Sequence, residues 1–283
     1  MSGGVNRKAV EERVRGAWEQ IVDQSGVREE ALDALPKGEM RLLGSSVKTE
    51  KGVSEGVMTA VQYLAPARES GRQVCPFASA GCKALCLGHS SGRMAMSASE
   101  RARLWKTTMR FGATEEYFAL LGFEIEAHRR RAEREGMIPA VRLDGSSDLG
   151  DAEIIAEQHP DVVFYDYTKS LARMRRVWRN GPLNYHLTFS YSGENWAECE
   201  EVLREGYGSV AVVFDVGDAD LPEEWCGYPV IDGDKHDARF LDDARMGVIV
   251  GLRAKGKARG ASEREENCGF VVPVSVVQVR EDV

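Results

Sequence analysis

Three closely spaced cysteines are the residues best suited to chemistry. Cys75, Cys82 and Cys86 follow the spacing C-x6-C-x3-C. Thiolates are soft ligands that select zinc, copper(I) or iron–sulfur clusters. A structural zinc ion usually has four protein ligands, whereas three thiolates suit a [4Fe–4S] cluster with one iron open to a substrate or cofactor. We therefore predict such a cluster. Zinc, completed by His89 or a distant cysteine, is one alternative, and a metal-free set of small buried side chains is another.

The composition indicates a globular protein of a reducing compartment. The 283 residues are 43% hydrophobic and carry a formal net charge of -8, which gives no global attraction to nucleic acid or anionic membranes. No apolar run approaches the length of a membrane span. We expect a cytoplasmic location and no membrane partner, and in that compartment a tight cysteine group favours metal binding over disulfides. The other cysteines are Cys199, at helical spacing and expected in the core, and the isolated Cys226 and Cys268.

The segments around these cysteines alternate between predicted strands and predicted helices. Apolar segments at 57–64, 140–143, 162–167, 184–190, 209–215, 229–231, 247–252 and 271–279 are typical of strands, and helical patterns separate several of them. Such alternation predicts βαβ units and a parallel sheet. We expect an α/β fold, a partial or complete (β/α) TIM-like barrel. Residues 1–38 form an N-terminal helical appendage, and residues 39–283 form a single barrel domain that carries the cysteines.

Polar residues close the second predicted strand. Asp144, Ser146, Ser147 and Asp148 follow it directly, at the end of the strand where a barrel places its active site. Their carboxylates and hydroxyls suit the ammonium, ribose or carboxylate groups of a cofactor. The structural alternative is a capping turn that starts the next helix at Asp148 or Asp151.

The next two strands bring further candidates. Alternate residues of a strand share a face, so Tyr167 and Lys169 point together. A lysine inside a barrel would need an anionic partner, such as a substrate phosphate or carboxylate. His186 is the best candidate for proton transfer, and it shares a face with the cofactor-binding candidates Thr188 and Ser190. The alternatives are a solvated lysine and a hydrogen-bonded core histidine.

Charged clusters occur later in the chain. Asp232 and Asp234 follow a strand and suit Mg²⁺ or sugar hydroxyls, although an ordinary Asp/Gly turn is the plainer account of them. Cations concentrate at 128–131, 173–179 and 253–259. These stretches are read as solvated surfaces, with a site for a phosphate-bearing substrate as the alternative.

Several of these segments resemble a known family. Residues 63–66, 75–87, 142–148, 164–169, 184–190, 230–234 and 250–256 are similar, in order, to the phage-encoded family of gene product 88, which has no assigned activity. The layout also resembles that of radical S-adenosylmethionine (SAM) enzymes, which carry a cysteine triad after the first barrel strand. Their common spacing is C-x3-C-x2-C, which differs from the spacing here. The resemblance implies SAM as cofactor, a reductant protein as partner and a location in the host cytoplasm.

Three hypotheses follow. The first is a radical-SAM-like iron–sulfur enzyme that modifies a nucleotide or DNA base, with His186, Lys169 and Tyr167 as catalytic residues. The second is a metal-dependent nuclease or hydrolase that uses Asp144, Asp148, Asp232 and Asp234, with a structural zinc at the cysteines. The third is a zinc-stapled binding protein without catalysis.

Overall fold

A computed structural model describes residues 6–90, 92–217, 219–242 and 247–273 of the protein. Ten α-helices lie within these residues: α1 (Arg7–Gly16), α2 (Trp18–Ser25), α3 (Val47–Glu50), α4 (Ala80–Ala84), α5 (Leu87–Ser90), α6 (Ser97–Gly112), α7 (Thr114–Arg134), α8 (Ala152–Ile155), α9 (Leu171–Asn180) and α10 (Trp196–Arg204). Nine strands accompany them: β1 (Val57–Val61), β2 (Ile138–Arg142), β3 (Val163–Thr168), β4 (Tyr185–Ser190), β5 (Val210–Asp215), β6 (Glu224–Trp225), β7 (Tyr228–Asp232), β8 (Ile249–Arg253) and β9 (Val271–Pro273). None of the described helices is both long enough and apolar enough to cross a membrane.

The strands form one open, mostly parallel sheet. Their order is β1-β2-β3-β4-β5-β8-β7-β6, and only β6 pairs antiparallel with its neighbour. The α/β class and the alternation are therefore confirmed. The closed barrel is not observed among the described residues, because β1 and β6 lie at opposite ends of the strand order. The free edge of β1 instead takes an antiparallel bridge between Gly44 and Val61.

Strand β9 occupies an unusual place beside β5. β8 pairs with β5 from Val210 to Phe214 and so covers one edge. The other edge is shared, because β4 pairs with Val210 and Ala211 while β9 pairs with the residues from Val213 to Asp215. β9 therefore continues the sheet beyond the carboxyl end of β4. The predicted last strand is confirmed over its first three residues, and 274–279 lie outside the described residues.

The N-terminal helices pack into the main core. The predicted helical segment is two helices that meet at Ala17, and the Asn6 side chain caps the first by accepting from the Ala9 N–H at 2.9 Å. The buried residues of α1 and α2 join the largest hydrophobic cluster together with α6 and α7: Val10, Val14, Trp18, Ile21, Val22, Leu104, Met109, Leu120, Leu121 and Ile125. The division at residue 38 stays a prediction, although the two segments share this core.

The two faces of the sheet are covered differently. Helices α7 and α9 contact β1 to β4, and Phe164 of β3 belongs to the same hydrophobic cluster as the buried residues of α7. On the other face, Tyr165 contacts Phe240, at 5.7 Å between ring centroids, and donates a 3.1 Å hydrogen bond to Asp237. Asp237 also pairs with Arg142 at 3.1 Å. The chain that follows β7 therefore covers part of the sheet face that carries Tyr165, which we call the inner face.

Candidate functional site

The cysteines lie in a long connection, residues 66–90, which we call the cysteine loop. It follows β1, contains the short helices α4 and α5, and contacts segments that follow several other strands. Ser79 begins α4, where its hydroxyl accepts the Cys82 N–H at 3.2 Å and donates to the Ser192 carbonyl at 2.8 Å. Ser192 follows β4, so this hydrogen bond joins the cysteine loop to the carboxyl end of that strand.

Two further contacts hold the loop. The Asp148 N–H, beyond β2, donates to the Val74 carbonyl at 2.8 Å. Gly81 packs so tightly on the segment before β9 that an added Cβ would stand 2.0 Å from the Asn267 carbonyl oxygen. The cysteine loop therefore lies over the carboxyl ends of the parallel strands, which is where ligand sites form in such sheets.

The three thiols interact with one another. Burial raises the pKa of Cys75 to about 12, and the neighbouring Cys86 and Cys82 add to the rise. Burial also raises the pKa of Cys86, to which Cys82 again contributes. The Cys75 Sγ accepts the Ala67 N–H at 3.4 Å and donates to the Ser146 carbonyl at 3.5 Å. Burial and the neighbouring thiols thus oppose ionisation of Cys75 and Cys86, and nearby positive charge would favour their thiolates.

The thiols are near one another without forming a ready-made ion site. Within the described part of the chain, no three Cys, His, Asp or Glu side chains are placed to hold one metal ion. Cys199 is buried in the core, as the sequence predicts, whereas Cys268 is exposed. The side chain of His89, considered as a fourth zinc ligand, lies outside the described residues.

Lys169 lies beside the cysteine loop. Its charge acts to lower the pKa values of Cys86 and Cys199, against the stronger effect of burial. Its Nζ lies 5.8 Å from the centroid of the Phe270 ring. It lines a cavity of about 370 Å³ together with Phe77, Ser192, Glu194, Asn195, Ala197 and Glu198. The predicted lysine is thus close to the thiols and in contact with a space that a ligand can enter.

Tyr167 and His186 are placed differently from Lys169. The Arg142 guanidinium lies 4.6 Å from the centroid of the Tyr167 ring, on the inner face. His186 is exposed and packs against Phe240, with 5.9 Å between ring centroids. The register pairs Tyr167 with Thr188, and Thr188 and Ser190 are both buried. The structure therefore brings Lys169, but not His186, into interaction with the cysteines.

Asp144 begins the aspartate loop, residues 144–150. Its buried carboxylate accepts the Ser147 hydroxyl at 2.6 Å and the backbone N–H groups of Leu149 and Gly150 at 3.0 and 2.9 Å. The Ser146 hydroxyl donates to the Leu64 carbonyl at 2.6 Å. These polar groups are used within the protein, although neither Asp148 nor Asp151 caps the next helix through its side chain as the capping-turn alternative expected. Their assignment to a cofactor stays a prediction.

Arg173 is a residue that the sequence placed wrongly. It belongs to the 173–179 cluster, read as solvated or phosphate-binding, yet it is only 4% exposed. It donates to Asp148 Oδ1 at 2.6 Å and to Asp144 Oδ2 at 3.0 Å. Helical periodicity carried a signal, because Arg173 shares the buried face of α9 with Val177 at i, i+4. Arg176, by contrast, is exposed and pairs with Glu153.

Asp232 and Asp234 are both engaged by cations. Arg253 Nη1 lies 3.1 Å from Asp232 Oδ1, and Lys255 Nζ lies 2.5 Å from Asp234 Oδ1. The Asp234 side chain also accepts the Arg253 N–H at 3.0 Å. Part of the 253–259 cluster therefore neutralises these aspartates, and the contacts tie the end of β7 to the end of β8.

Comparison with known proteins identifies the family. No curated protein and no solved structure matches the chain. The family model described as Gene product 88 matches residues 38–273, a span that includes the cysteine loop, the aspartate loop and every strand of the sheet. Because this match covers well over half of the sequence, the protein belongs to the Gene product 88 family.

Proposed function

We propose that the protein is an iron–sulfur enzyme in which Cys75, Cys82 and Cys86 hold a [4Fe–4S] cluster that acts with SAM. One observation carries this proposal: three thiols lie in a loop over the carboxyl ends of parallel strands, close enough that Cys82 and Cys86 act electrostatically on Cys75. The likeness to radical SAM enzymes in layout supports the same reading.

The donor set fits such a cluster. Burial and the neighbouring thiols disfavour the thiolates of Cys75 and Cys86, so a bound cationic centre would supply positive charge that favours them. Cys199 is buried in a separate hydrophobic cluster with Phe189 and Val202. Three thiol ligands leave one iron position for a further ligand. When bound, the cluster would supply one-electron reduction of SAM, with the electron delivered by a reductant protein.

Lys169 is the chain's own residue best placed to bind a reactant. It lines the cavity, and its charge acts on the Cys86 thiol. Its ammonium would hold an anionic group of the substrate, and Phe77 offers an apolar surface at the same cavity, with 51% of its area exposed. A nucleotide or DNA base combines such polar and apolar groups, and we propose it as the substrate class.

The carboxylate alternative has less support. Asp144 is saturated by hydrogen bonds inside the aspartate loop, and Asp232 and Asp234 are paired with Arg253 and Lys255. Carboxylates that bind catalytic Mg²⁺ need free oxygens and room for water. We therefore favour the cysteine loop over the aspartates as the reactive centre.

Metal analysis tests the proposal. Iron, sulfide and zinc would be measured on protein purified without oxygen, for the wild type, Cys82→Ala and the control Cys268→Ala. We expect about four irons and four sulfides per chain in the wild type and in Cys268→Ala, and their loss in Cys82→Ala. One zinc and no iron would overturn the proposal and favour a zinc-stapled loop. A positive result makes reductive cleavage of SAM the next assay.

A further inference from the structure

Arg173 is a buried cation beneath the aspartate loop. It reaches from α9 to two carboxylates of the aspartate loop, Asp148 at 2.6 Å and Asp144 at 3.0 Å. It also donates to the Tyr185 hydroxyl. Gly150 makes room for it, since an added Cβ there would stand 3.1 Å from the guanidinium carbon, and the glycine has a φ of +83°.

The aspartate loop, which Arg173 binds, also contacts Cys75 and the residue before it. The Asp148 N–H donates to the carbonyl of Val74, which directly precedes Cys75, at 2.8 Å. The carbonyl of Ser146 accepts from the Cys75 thiol at 3.5 Å. Backbone groups of the loop that Arg173 contacts therefore bind both Cys75 and the residue before it.

The same loop also reaches Lys169. The second carboxylate oxygen of Asp148 accepts the Lys169 N–H at 2.9 Å. One guanidinium thus orders a loop that contacts both Cys75 and the backbone of the lysine at the cavity. Arg173 uses two separate nitrogens of its planar guanidinium, Nη1 for Asp148 and Nη2 for Asp144. A lysine keeps the charge but has a single nitrogen, so it does not reproduce this geometry.

We propose that Arg173 is a positioning residue that sets the spacing of the cysteine ligands by clamping the aspartate loop against Val74 and Cys75. This inference rests on the proposed function where it concerns the cluster. Under this proposal Arg173, a member of the 173–179 cluster, positions the cysteine ligands and does not bind phosphate.

The test compares three variants with the wild type: Arg173→Lys, Arg173→Met and the control Arg176→Met. Arg176 lies on the same helix but is exposed, and it pairs with Glu153, which Arg173 Nε also approaches at 3.2 Å. One readout is the affinity for cobalt(II), followed by thiolate-to-cobalt charge-transfer absorption. The other is the rate at which Cys75 is alkylated in metal-free protein, by peptide mass spectrometry, with the buried Cys199 as internal reference.

We expect Arg173→Lys to fold, to bind cobalt about tenfold more weakly and to expose Cys75 to alkylation about tenfold faster, because breaking a buried charged contact loosens the loop. Arg176→Met should match the wild type. Arg173→Lys with wild-type cobalt affinity and alkylation would overturn the proposal, since charge alone would then suffice. Arg173→Met removes the cation that pairs with Asp144 and Asp148, and this variant can fail to fold. In that case the comparison of Arg173→Lys with the wild type tests the proposal.

The two readouts separate this proposal from the proposed function. Wild-type protein that takes up neither iron nor cobalt would defeat the cluster, while faster alkylation of Cys75 in Arg173→Lys would still support the clamp. Protein that binds the cluster equally well with arginine or lysine at 173, with equal alkylation, would defeat the clamp alone.

Discussion

At the scale of single residues, Lys169 is the side chain whose position matters most for the thiols. Burial and the neighbouring Cys82 thiol raise the pKa of Cys86, and the positive charge of Lys169 opposes that rise. Lysine at this strand end therefore favours the thiolate, which is the form that binds metal and reacts with electrophiles.

Replacing Lys169 by methionine should make the Cys86 thiolate harder to form. In metal-free Lys169→Met, we expect Cys86 to titrate at higher pH and to be alkylated roughly two- to tenfold more slowly near pH 8. Lys83→Met, an exposed lysine of α4, is the matched control and should leave Cys86 unchanged. Equal alkylation rates in wild type and Lys169→Met would refute this electrostatic role.

Lys106 gives a second prediction at this scale. Its ammonium donates to the Leu42 carbonyl at 2.7 Å, and burial lowers its pKa from 10.5 to about 8. The unfolded chain then binds more protons than the folded chain between pH 8 and 10.5, so the free energy of unfolding should rise with pH across that window, by about 1–3 kcal/mol. Urea titrations should show this rise in the wild type and its absence in Lys106→Met. The same dependence of unfolding free energy on pH in both proteins would contradict this prediction.

At the scale of elements, helix α4 is fixed by close packing against the segment before β9. An added Cβ on Gly81 would stand 2.0 Å from the Asn267 carbonyl oxygen and 2.9 Å from the Phe270 Cβ. Asn267 is itself rigid, because its side chain accepts the Val271 N–H at 2.6 Å and donates to the Val271 carbonyl at 2.9 Å. The helix that carries Cys82 therefore cannot retain its position with a larger residue at 81.

Gly81→Ala should displace α4 and cost roughly 1–3 kcal/mol of stability through overpacking. Gly122→Ala is the matched control, since it lies in α7 with only the His159 ring at 3.8 Å from an added Cβ. That variant should be neutral or stabilising, because alanine is the better helix former. Thermal unfolding of both variants decides the matter, and a Gly81→Ala protein as stable as Gly122→Ala would show that α4 is not fixed by this contact.

At the scale of the whole molecule, the N-terminal helices and the sheet share one hydrophobic cluster. Trp18 is 7% exposed, and its indole N–H donates to the Ala31 carbonyl at 3.1 Å. Its neighbours in the cluster include Met109 of α6 and Leu121 of α7. The unfolding of this segment should therefore be coupled to the unfolding of the sheet.

Trp18→Ala should lower the stability of the entire protein by about 3–5 kcal/mol, the usual cost of deleting a buried aromatic side chain. Trp178→Ala, at a tryptophan that is 55% exposed, should cost under about 1 kcal/mol. Calorimetry measures the midpoint temperature of thermal unfolding and shows whether each variant unfolds in one transition or more. A Trp18→Ala protein whose main transition is unmoved would mean that residues 6–25 contribute nothing to the sheet's stability.

Local patterns in the sequence determined the α/β class and most strand positions, and they led us to predict the cysteine triad as the chemical centre. Hydrophobic alternation and helical spacing repeat over a few residues, so a strand such as β5 or a helix such as α7 is visible without its neighbours. The short strand β6 and the short helices of the cysteine loop carry no such period, and the sequence missed them.

Only the tertiary structure decided which strand ends meet, and with them the surroundings of the cysteines. That Arg173 is buried under the aspartate loop, that Asp234 is neutralised by Lys255 and that His186 lies against Phe240 depends on strand register and on contacts between distant segments. Barrel closure depends in the same way on whether the first and last strands pair. Burial and pairing energies arise between residues far apart in the chain, so composition and spacing name the candidate groups, whereas long-range packing selects those that face the thiols.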